Sequence, residues 1–261
     1  TMNSSGISNE MQSLLTNKKP LFLMSMSFNM KKIVELINKQ SMYNDLIKSM
    51  SENLNISKTD IEGFLGGEFS FSLSDITTKK VNVTEYNYET DEEYETEKDV
   101  EVPSMVLSLS VKNNNLTSKL LTQMQAKNEN GYWVFPIPSE TFGSNLFIVE
   151  TDNAVTLTND DNAANELVSR KKFSYALDND DKNLVSSNPF SIRLNLNPND
   201  MPQGIAEKLR TNSIAFNALN EFEKITMASD GLKSNLTVKM KDGEENSLFR
   251  LFQMIDKAVM N

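Results

Sequence analysis

The sequence predicts an α+β fold with mostly antiparallel sheets and helices packed on one face. Segments whose apolar residues alternate with a period of two are interleaved with segments of helical period. Several alternating segments follow each other directly, as the strands of antiparallel hairpins do. The chain has 261 residues, 38% of them hydrophobic, so it is long enough to bury a core.

The first strand and helix lie near the start of the chain. The stretch PLFLMSMSF, residues 20–28, places phenylalanines and methionines on one strongly apolar side and leucines and serines on the other. Asn29 is the candidate N-cap of the following helix, which carries Ile33, Leu36 and Ile37, and then Met42, Leu46 and Met50, at helical spacing.

A second helix and two further strands come next. Ser57 is the candidate N-cap of the helix SKTDIEGFL, which we expect to end at Gly66. The segments GEFSFSLSDI and SMVLSLSVKN then alternate as strands. Their expected core residues are Phe69, Phe71, Leu73, Leu107, Leu109 and Val111.

The middle of the chain predicts another helix, three short strands and a further helix. LTSKLLTQMQ has a helical period, whereas GYWVFPIP, NLFIVETD and NAVTLTND read as strands. The last two strands are expected to form a hairpin at Asp152–Asn153, and Asp160 or Asp161 should begin the helix DNAANELVSR.

The end of the chain repeats the order of elements at its beginning. PFSIRLNLNPNDMPQGIAEKL resembles PLFLMSMSFNMKKIVELI, EKITMASD resembles FSFSLSD, LKSNLTVKMKD resembles VLSLSVKN, and NSLFRLFQM resembles LTSKLLTQM. This strand-helix-strand-strand-helix order predicts an internal duplication. The modules would span 1–175 and 176–261, or merge into one continuous domain; a chance alignment of similar α+β segments is the alternative. The last module would end in an apolar helical stripe of Leu248, Leu251, Phe252, Ile255 and Val259.

Residues 81–102, VNVTEYNYETDEEYETEKDVEV, hold nine acidic side chains and three tyrosines. We expect this stretch to form a protruding acidic β-hairpin rather than a disordered tail. Folding it about Asp91-Glu92 pairs Val81 with Val102 and sets Tyr86 opposite Glu97 and Tyr88 opposite Glu95. The tip is either merely solvated or a docking surface for a basic partner.

The composition argues against several classes of function. The chain has no Cys and no His, which removes thiol and imidazole nucleophiles, imidazole bases and the usual zinc ligands. Its formal net charge of −10 disfavours nucleic acid as a partner. The longest apolar run is only Leu21–Met24, so no transmembrane segment is expected in this chain. We found no catalytic or phosphate-binding motif, and we predict neither an enzyme nor a cofactor or metal site.

The candidate ligand-binding residues are aromatic. Trp133 and Phe135 should share one strand face and leave Tyr132 on the other, so an exposed ring there could stack on a sugar. Together with the hairpin tyrosines, the candidates are Tyr86, Tyr88 and Trp133.

Two other motifs were weighed as binding sites. The acidic run 178–183 resembles a calcium loop but lacks the required Gly and final Glu, so we interpret it as a solvated polar connector. Gly66-Gly67 could admit a ligand to the backbone but fits ordinary chain reversal.

The combination of PLFLMSMSF, FLGGEFSFSLSDI, VLSLSVKN and NLFIVETDNAVTLTND resembles a domain-of-unknown-function family of predicted Bacteroidetes cell-envelope lipoproteins. The likeness covers most of the chain and rests on strand and turn patterns. It implies a periplasmic or surface-exposed protein, or an extracellular one, and a longer precursor with a lipid anchor. It supplies no catalytic residues.

These observations leave two main functional hypotheses. The first is a non-catalytic envelope or surface protein that binds an envelope protein or a glycan, or has a scaffolding role. The alternative is a carboxylate-dependent hydrolase acting on glycans or peptides, which would need two acidic residues converging in one pocket.

Overall fold

The computed structural model describes residues 2–39, 48–49, 52, 56–135 and 145–241. The strands are β1 (Phe22–Ser27), β2 (Leu65–Asn87), β3 (Glu92–Val111), β4 (Lys127–Glu129), β5 (Tyr132–Phe135), β6 (Leu146–Glu150), β7 (Ala154–Thr158), β8 (Phe190–Asn195), β9 (Phe222–Ser229) and β10 (Ser234–Met240). The helices are α1 (Asn9–Ser13), α2 (Met30–Ile37), α3 (Lys58–Phe64), α4 (Asn115–Gln123), α5 (Asp161–Arg170), α6 (Asn179–Ser187), α7 (Gln203–Thr211) and α8 (Ser213–Asn220), with a 3₁₀ turn at Pro198–Asp200.

Within these residues the strands form one open sheet in which every neighbouring pair is antiparallel. The order is β10-β9-β8-β1-β2-β3-β7-β6-β5-β4. The prediction of an α+β fold with antiparallel strands is therefore confirmed. Because β1 pairs with β8, the sheet continues across both predicted modules, and the division into 1–175 and 176–261 stays a prediction.

One side of the sheet, here called the hydroxyl face, is lined by small hydroxyl side chains and is fully buried. Its members have at most 1% of their surface exposed: Ser25, Ser27, Ser70, Ser72, Ser108, Thr156, Thr158 and Ser191. The opposite side, the apolar face, carries large side chains that are only half-buried: Phe22, Met24, Met26, Phe69, Phe71, Leu73, Leu107 and Leu109. We expected Phe69, Phe71, Leu73, Leu107 and Leu109 to be core residues, so the prediction chose the wrong side of the sheet for the fully buried core, although Val111 is buried as expected.

The hydroxyl face is buried because the residues that follow α1 pack against it. Ser72 Oγ donates to the Leu15 carbonyl at 2.6 Å, and Ser108 Oγ donates to the Leu14 carbonyl at 3.0 Å. Carbonyls at the end of a helix have no partner within the helix, so the strand hydroxyls satisfy them. Each such bond stabilises the fold by about 1 kcal/mol. Leu14 and Leu15 are themselves completely buried.

The main core forms where α1, α5 and α6 cover the hydroxyl face. It joins leucines and alanines of these helices to apolar strand residues that share this side of the sheet. The core residues are Ile7, Met11, Leu14, Leu15, Leu23, Val106, Val149, Ala154, Ala163, Ala164, Leu167, Phe173, Leu177 and Val185. Met30 and Ile33 of α2 contact the apolar face instead, beside Met24 and Met26. Helices therefore lie on both sides of the sheet, and the prediction of helices on one face is wrong.

The helix starts follow the predicted capping residues. Asn29 caps α2 by accepting from Lys32 N, and Ser57 and Asp60 form a complete capping box at α3. Asp160, the first of the two predicted candidates, caps α5 through Asn162 N and Ala163 N. Because β2 already begins at Leu65, α3 ends two residues before the predicted Gly66.

The acidic run 178–183 is helical and is not the connector that we predicted. Asp178 is the N-cap of α6 and accepts a hydrogen bond from Asp181 N at 2.7 Å. Acidic residues are favoured in the first turn of a helix because the unpaired N–H groups there carry partial positive charge. The acidic composition therefore marked a helix start.

The hairpin of β2 and β3 is continuous from its base to a turn at residues 88–91. Its register differs from our prediction by four residues, because Val81 pairs with Lys98 and Thr77 pairs with Val102. Tyr86 faces Glu93 rather than Glu97, and Tyr88 lies in the turn rather than opposite Glu95. The predicted pairing matched valines to each other, whereas the turn and a bulge between Leu73 and Asp75 set the actual register.

The base of this hairpin is packed and its tip is exposed. Val81, Val83 and Val102 are at most 7% exposed, and α7 contacts β2. Lys208 of α7 forms an ion pair with Glu101. Two other expectations fall largely outside the described residues: the second half of the helix after Asn29 and the apolar stripe of residues 248–259.

Replacing residues 85–94 by Asn-Gly should leave the fold intact, because the paired residues Thr84 and Glu95 would then flank a two-residue turn. The removed side chains lie largely outside the core, so the melting temperature should change by no more than about 2 °C. The buried Val83→Ala serves as the reference and should cost about 1–3 kcal/mol in the free energy of unfolding. Loss of the cooperative thermal transition in the shortened chain would contradict this account.

Candidate functional site

The apolar face contains a groove of about 420 Å³, here called the apolar groove. It lies between α2 and strands β1, β2 and β3. The described residues that line it are Met24, Met26, Phe28, Met30, Ile33, Leu65, Gly67, Glu68, Phe69, Leu109 and Ser110. Ligand pockets of small molecules typically span about 300–1,000 Å³, so this space is large enough to be a binding site.

The alternating sequence pattern builds the floor of the apolar groove. Met24 pairs with Phe71, and Met26 pairs with Phe69 on the neighbouring strand. Residues opposite each other in antiparallel strands share a face, so sulphur-containing and aromatic side chains form one continuous floor. Methionine side chains are flexible and polarisable, and they adapt to ligands of different shape.

Gly67 keeps the apolar groove open at the start of β2. Its φ of 102° lies in the region that favours glycine, and an added Cβ would lie 2.6 Å from the Phe28 carbonyl oxygen. Phe28 N donates to the Gly67 carbonyl at 2.7 Å, which fixes this close approach. We interpreted Gly66-Gly67 as chain reversal; the structure shows instead a bulge in β2 that borders the groove.

The space inside the apolar groove is bordered almost entirely by carbon and sulphur. Among the described lining residues, the two polar side chains, Glu68 and Ser110, are engaged elsewhere. Glu68 accepts hydrogen bonds from Ser8 N at 3.0 Å and Ser8 Oγ at 2.7 Å, and Ser110 Oγ accepts from Glu68 N at 2.8 Å. A guest with amide or hydroxyl groups would lose its hydrogen bonds to water without replacement. The groove is therefore suited to an aliphatic guest.

Tyr86 and Tyr88 lie together near the hairpin turn, as their close sequence positions suggest. Their ring centroids are 5.1 Å apart in an edge-on arrangement, and their exposed fractions are 44% and 90%. The Tyr86 hydroxyl is hydrogen-bonded to Asp91, and this bond raises the pKa of Tyr86 above its ordinary value. The phenol therefore stays protonated at neutral pH and acts as a donor.

Trp133 lies far from the hairpin tyrosines Tyr86 and Tyr88. It is half-buried on β5 and donates from Nε1 to Glu150 Oε1 at 2.8 Å. Successive strand pairs connect Trp133 across the sheet to Leu107 of β3. Tyr86 is instead paired with Glu93, which lies much earlier in β3. The interval from Glu93 to Leu107 corresponds to about 45 Å of extended strand. The three predicted residues therefore do not form one site.

A second, polar cleft of about 210 Å³ lies at the start of α5. It brings together Asp75, Asp160 and Asp161, the kind of carboxylate group that the hydrolase hypothesis requires. Burial would raise the pKa of Asp160, but Lys18 and the hydrogen bond from Ala163 N outweigh it and hold that pKa below its ordinary value. Asp160 is thus committed to an ion pair and a helix cap, and it is poorly suited to donate a proton.

The sequence did not reveal a buried ion pair between α6 and β8. Arg193 Nε and Asp181 Oδ1 are 3.2 Å apart, although they are not aligned as a hydrogen bond, and both side chains are at most 6% exposed. Arg193 Nη1 also donates to the Pro20 carbonyl at 2.8 Å. The sequence did contain one signal for this buried charge. Strand alternation places Arg193 on the same side of β8 as Ser191 and Asn195, and that side is buried.

Among the residues that the structure describes, no cluster of acidic side chains has the arrangement of a metal site. No helix in the described part of the chain is long and apolar enough to span a membrane.

No family model and no curated protein matches the chain. Among solved structures, crystal form III of TP0453 is similar at a TM-score of 0.40 with 6% sequence identity, over 95% of this chain and 86% of that chain. A similarity of this size carries no inference about family or function.

Arg193→Met should destabilise the protein by about 3–5 kcal/mol at pH 7, because it leaves the Asp181 carboxylate buried without its partner. Burial already raises the pKa of Asp181, and Arg193 opposes that rise. Loss of Arg193 should raise the pKa further. The folded state then holds the proton more tightly than the unfolded state does, so the loss of stability should shrink as pH falls from about 7 to 5.

Chemical denaturation at several pH values measures this effect. The double variant Asp181→Leu/Arg193→Met removes both charges and should recover most of the lost stability. A loss in Arg193→Met that does not change with pH, together with no recovery in the double variant, would show that the pair is not coupled as described.

Proposed function

We propose that this chain is a non-catalytic binding protein of the cell envelope whose ligand inserts an aliphatic chain into the apolar groove. The observation that carries the proposal is the nearly complete absence of free hydrogen-bonding groups from a lining of eleven described residues. A peptide backbone or a glycan would bury unsatisfied polar groups there, whereas an acyl chain has none. Each methylene transferred from water would contribute about 0.8 kcal/mol.

The lipoprotein resemblance is consistent with this proposal. An envelope location would place the protein beside lipids and lipid-bearing molecules. The envelope location, the lipid anchor of a longer precursor and a protein or glycan partner remain predictions.

A displacement assay tests the proposed ligand class. A neutral solvatochromic dye should bind the protein, and a monoacylglycerol should displace it. Met26→Glu introduces a charge into the apolar groove and should weaken dye binding at least about tenfold, because the carboxylate would lose hydration on ligand binding. Leu236→Glu is the matched control: it introduces the same charge at a residue of β10 that is 69% exposed and does not line the groove.

Ile33→Trp provides a second variant that fills the apolar groove without adding charge. It should also reduce binding while circular dichroism stays unchanged. Equal affinity in wild type, Met26→Glu and Ile33→Trp would overturn the proposed site. A folded protein that binds neither the dye nor the monoacylglycerol would overturn the proposed function.

The hydrolase alternative would be centred on the polar cleft of Asp75, Asp160 and Asp161. Asp75 and Asp161 are the remaining candidate acids there, because Asp160 is engaged by Lys18. Turnover of a glycan or peptide that disappears in Asp75→Asn or in Asp161→Asn, with dye binding unchanged, would favour this alternative.

We also propose that the chain contains an internal duplication, and the order of the sheet supports it. On one side of the β1–β8 boundary the sheet continues in the order β1, β2, β3, and on the other side it continues in the order β8, β9, β10. β1 and β8 share the same alternation of half-buried and buried residues. The long acidic hairpin of β2 and β3 corresponds to the short turn between β9 and β10. This insertion gives the first half a surface that the second half lacks.

A further inference from the structure

Three methionines border the apolar groove: Met24 and Met26 of β1, and Met30, the first residue of α2. Met24 and Met26 share one face of β1 and lie about 7 Å apart along the strand, because strand residues alternate between faces. A methionine side chain has three rotatable bonds, so its sulphur can move toward a neighbour while the backbone stays in place. The groove therefore brings three thioether groups to one space of about 420 Å³.

Met30 lies against the strands rather than toward solvent. A Cβ added at Gly67 would lie 2.9 Å from Met30 Cγ and 3.7 Å from Met30 Sδ. Met26 pairs with Phe69, which is two residues further along β2 than Gly67. The missing side chain of Gly67 thus leaves room for the Met30 sulphur over β2, beside the strand pair that carries Met26.

Glu68 is the charged residue of the described lining, and its described partners are neutral. The carboxylate accepts from Ser8 N and Ser8 Oγ, and no Lys or Arg in the described parts of the chain forms an ion pair with it. Lys31 and Lys32 in the first turn of α2 are exposed, so water and salt screen their charge. An uncompensated negative charge at the border of an apolar space attracts a cation.

The ligand atoms determine which cations fit this space. Calcium and magnesium require several oxygen ligands, and the usual zinc ligands Cys and His are absent from the chain. Thioether sulphur is a soft, neutral ligand that selects Cu(I) and chemically similar ions. Phe28 and Phe69 border the same space, and the faces of aromatic rings attract cations. The surroundings therefore favour a soft ion with a single positive charge.

We propose that Met24, Met26 and Met30 bind one soft monovalent metal ion, Cu(I) or its analogue Ag(I), in the part of the apolar groove next to Glu68. The three thioethers supply the ligands, and the carboxylate offsets the positive charge while it keeps its hydrogen bonds to Ser8. The ion and the aliphatic ligand would share the groove, but neither proposal depends on the other.

Methionines also line apolar spaces for packing alone, so the test must separate sulphur from shape. Leucine has nearly the volume of methionine and is equally apolar, and exchanges between the two are well tolerated in protein cores. Leucine has no sulphur. A packing role would survive the exchange from methionine to leucine, whereas metal binding would not.

Silver titration by calorimetry measures the proposed affinity, in nitrate buffer because chloride precipitates silver. The wild-type chain should bind a first equivalent of Ag(I) more tightly than any later one. Met24→Leu/Met26→Leu/Met30→Leu should weaken this first step at least about tenfold, because it removes all three soft ligands. Circular dichroism and the melting temperature report whether the variant is folded.

A matched control removes the same number of sulphurs outside the groove. Met105→Leu/Met124→Leu/Met201→Leu changes three methionines that are absent from the described lining, and it should keep the affinity of the first equivalent. Zn²⁺ and Ca²⁺ should produce no comparable binding step in the wild-type chain.

Glu68→Gln tests the contribution of charge. The glutamine side chain still offers an oxygen to Ser8, but it has no negative charge, so silver binding should weaken about 3–10-fold. Glu10→Gln is the control, because it removes a carboxylate of α1 that is absent from the described lining, and it should leave silver binding unchanged.

Methyl NMR of ¹³C-labelled methionine locates the ion in the wild-type chain. Substoichiometric Ag(I) should shift three methyl resonances first, and single Met→Leu variants should assign them to Met24, Met26 and Met30. X-ray absorption of the Cu(I) complex, prepared without oxygen, should show sulphur neighbours around copper. A first response at Met124, which is 56% exposed, would show instead that surface thioethers bind the ion.

Three results would overturn the proposal: a wild-type chain that binds no silver, a folded triple variant with wild-type affinity, or a first NMR response outside the groove. A protein that binds the neutral dye but no silver would contradict this inference alone. One that binds silver but neither the dye nor the monoacylglycerol would contradict only the proposed function.

Discussion

The structure depends on the contact between α1 and the hydroxyl face of the sheet. Leu14 and Leu15, which follow α1, pack against the strands, and their carbonyls accept hydrogen bonds from Ser108 and Ser72. Only small side chains allow a helix end to approach a sheet this closely, and only hydroxyls also satisfy its unpaired carbonyls. Ser25 and Ser191 extend the same chemistry across the β1–β8 boundary with a 2.7 Å hydrogen bond. The serines therefore form part of the core.

This constraint determines where the large side chains go. Strand residues alternate between faces, so serines on the buried side force phenylalanine, methionine and leucine to the other side. That side is covered less completely, and Met24, Met26 and Phe69 remain half-buried around a groove. The proposed binding site is thus a direct consequence of the way the opposite face is packed. Gly67 adds the local backbone freedom that keeps the space open.

Local signals in the sequence predicted the strands and helix caps, but not the features set by tertiary contacts. Asn29, Ser57 and Asp160 cap helices as expected, since capping depends on a few neighbouring residues. The choice of buried face was wrong because period-two alternation identifies two faces without saying which one receives the helices. The hairpin register was missed for a similar reason, because a bulge and a turn shifted it. The Asp181–Arg193 pair joins elements that only the folded sheet brings together, and the apolar groove has no sequence motif.

Methionine oxidation measured residue by residue with mass spectrometry tests the assignment of the two faces most directly. Met11 is 1% exposed beneath the hydroxyl face and should resist peroxide, whereas Met124, 56% exposed, should react fast. Met24 and Met26 should oxidise at intermediate rates and should be protected when the apolar groove is filled by a ligand. If Met24 and Met26 were as resistant as Met11 in the free protein, the apolar face would be a closed core and the account would be wrong.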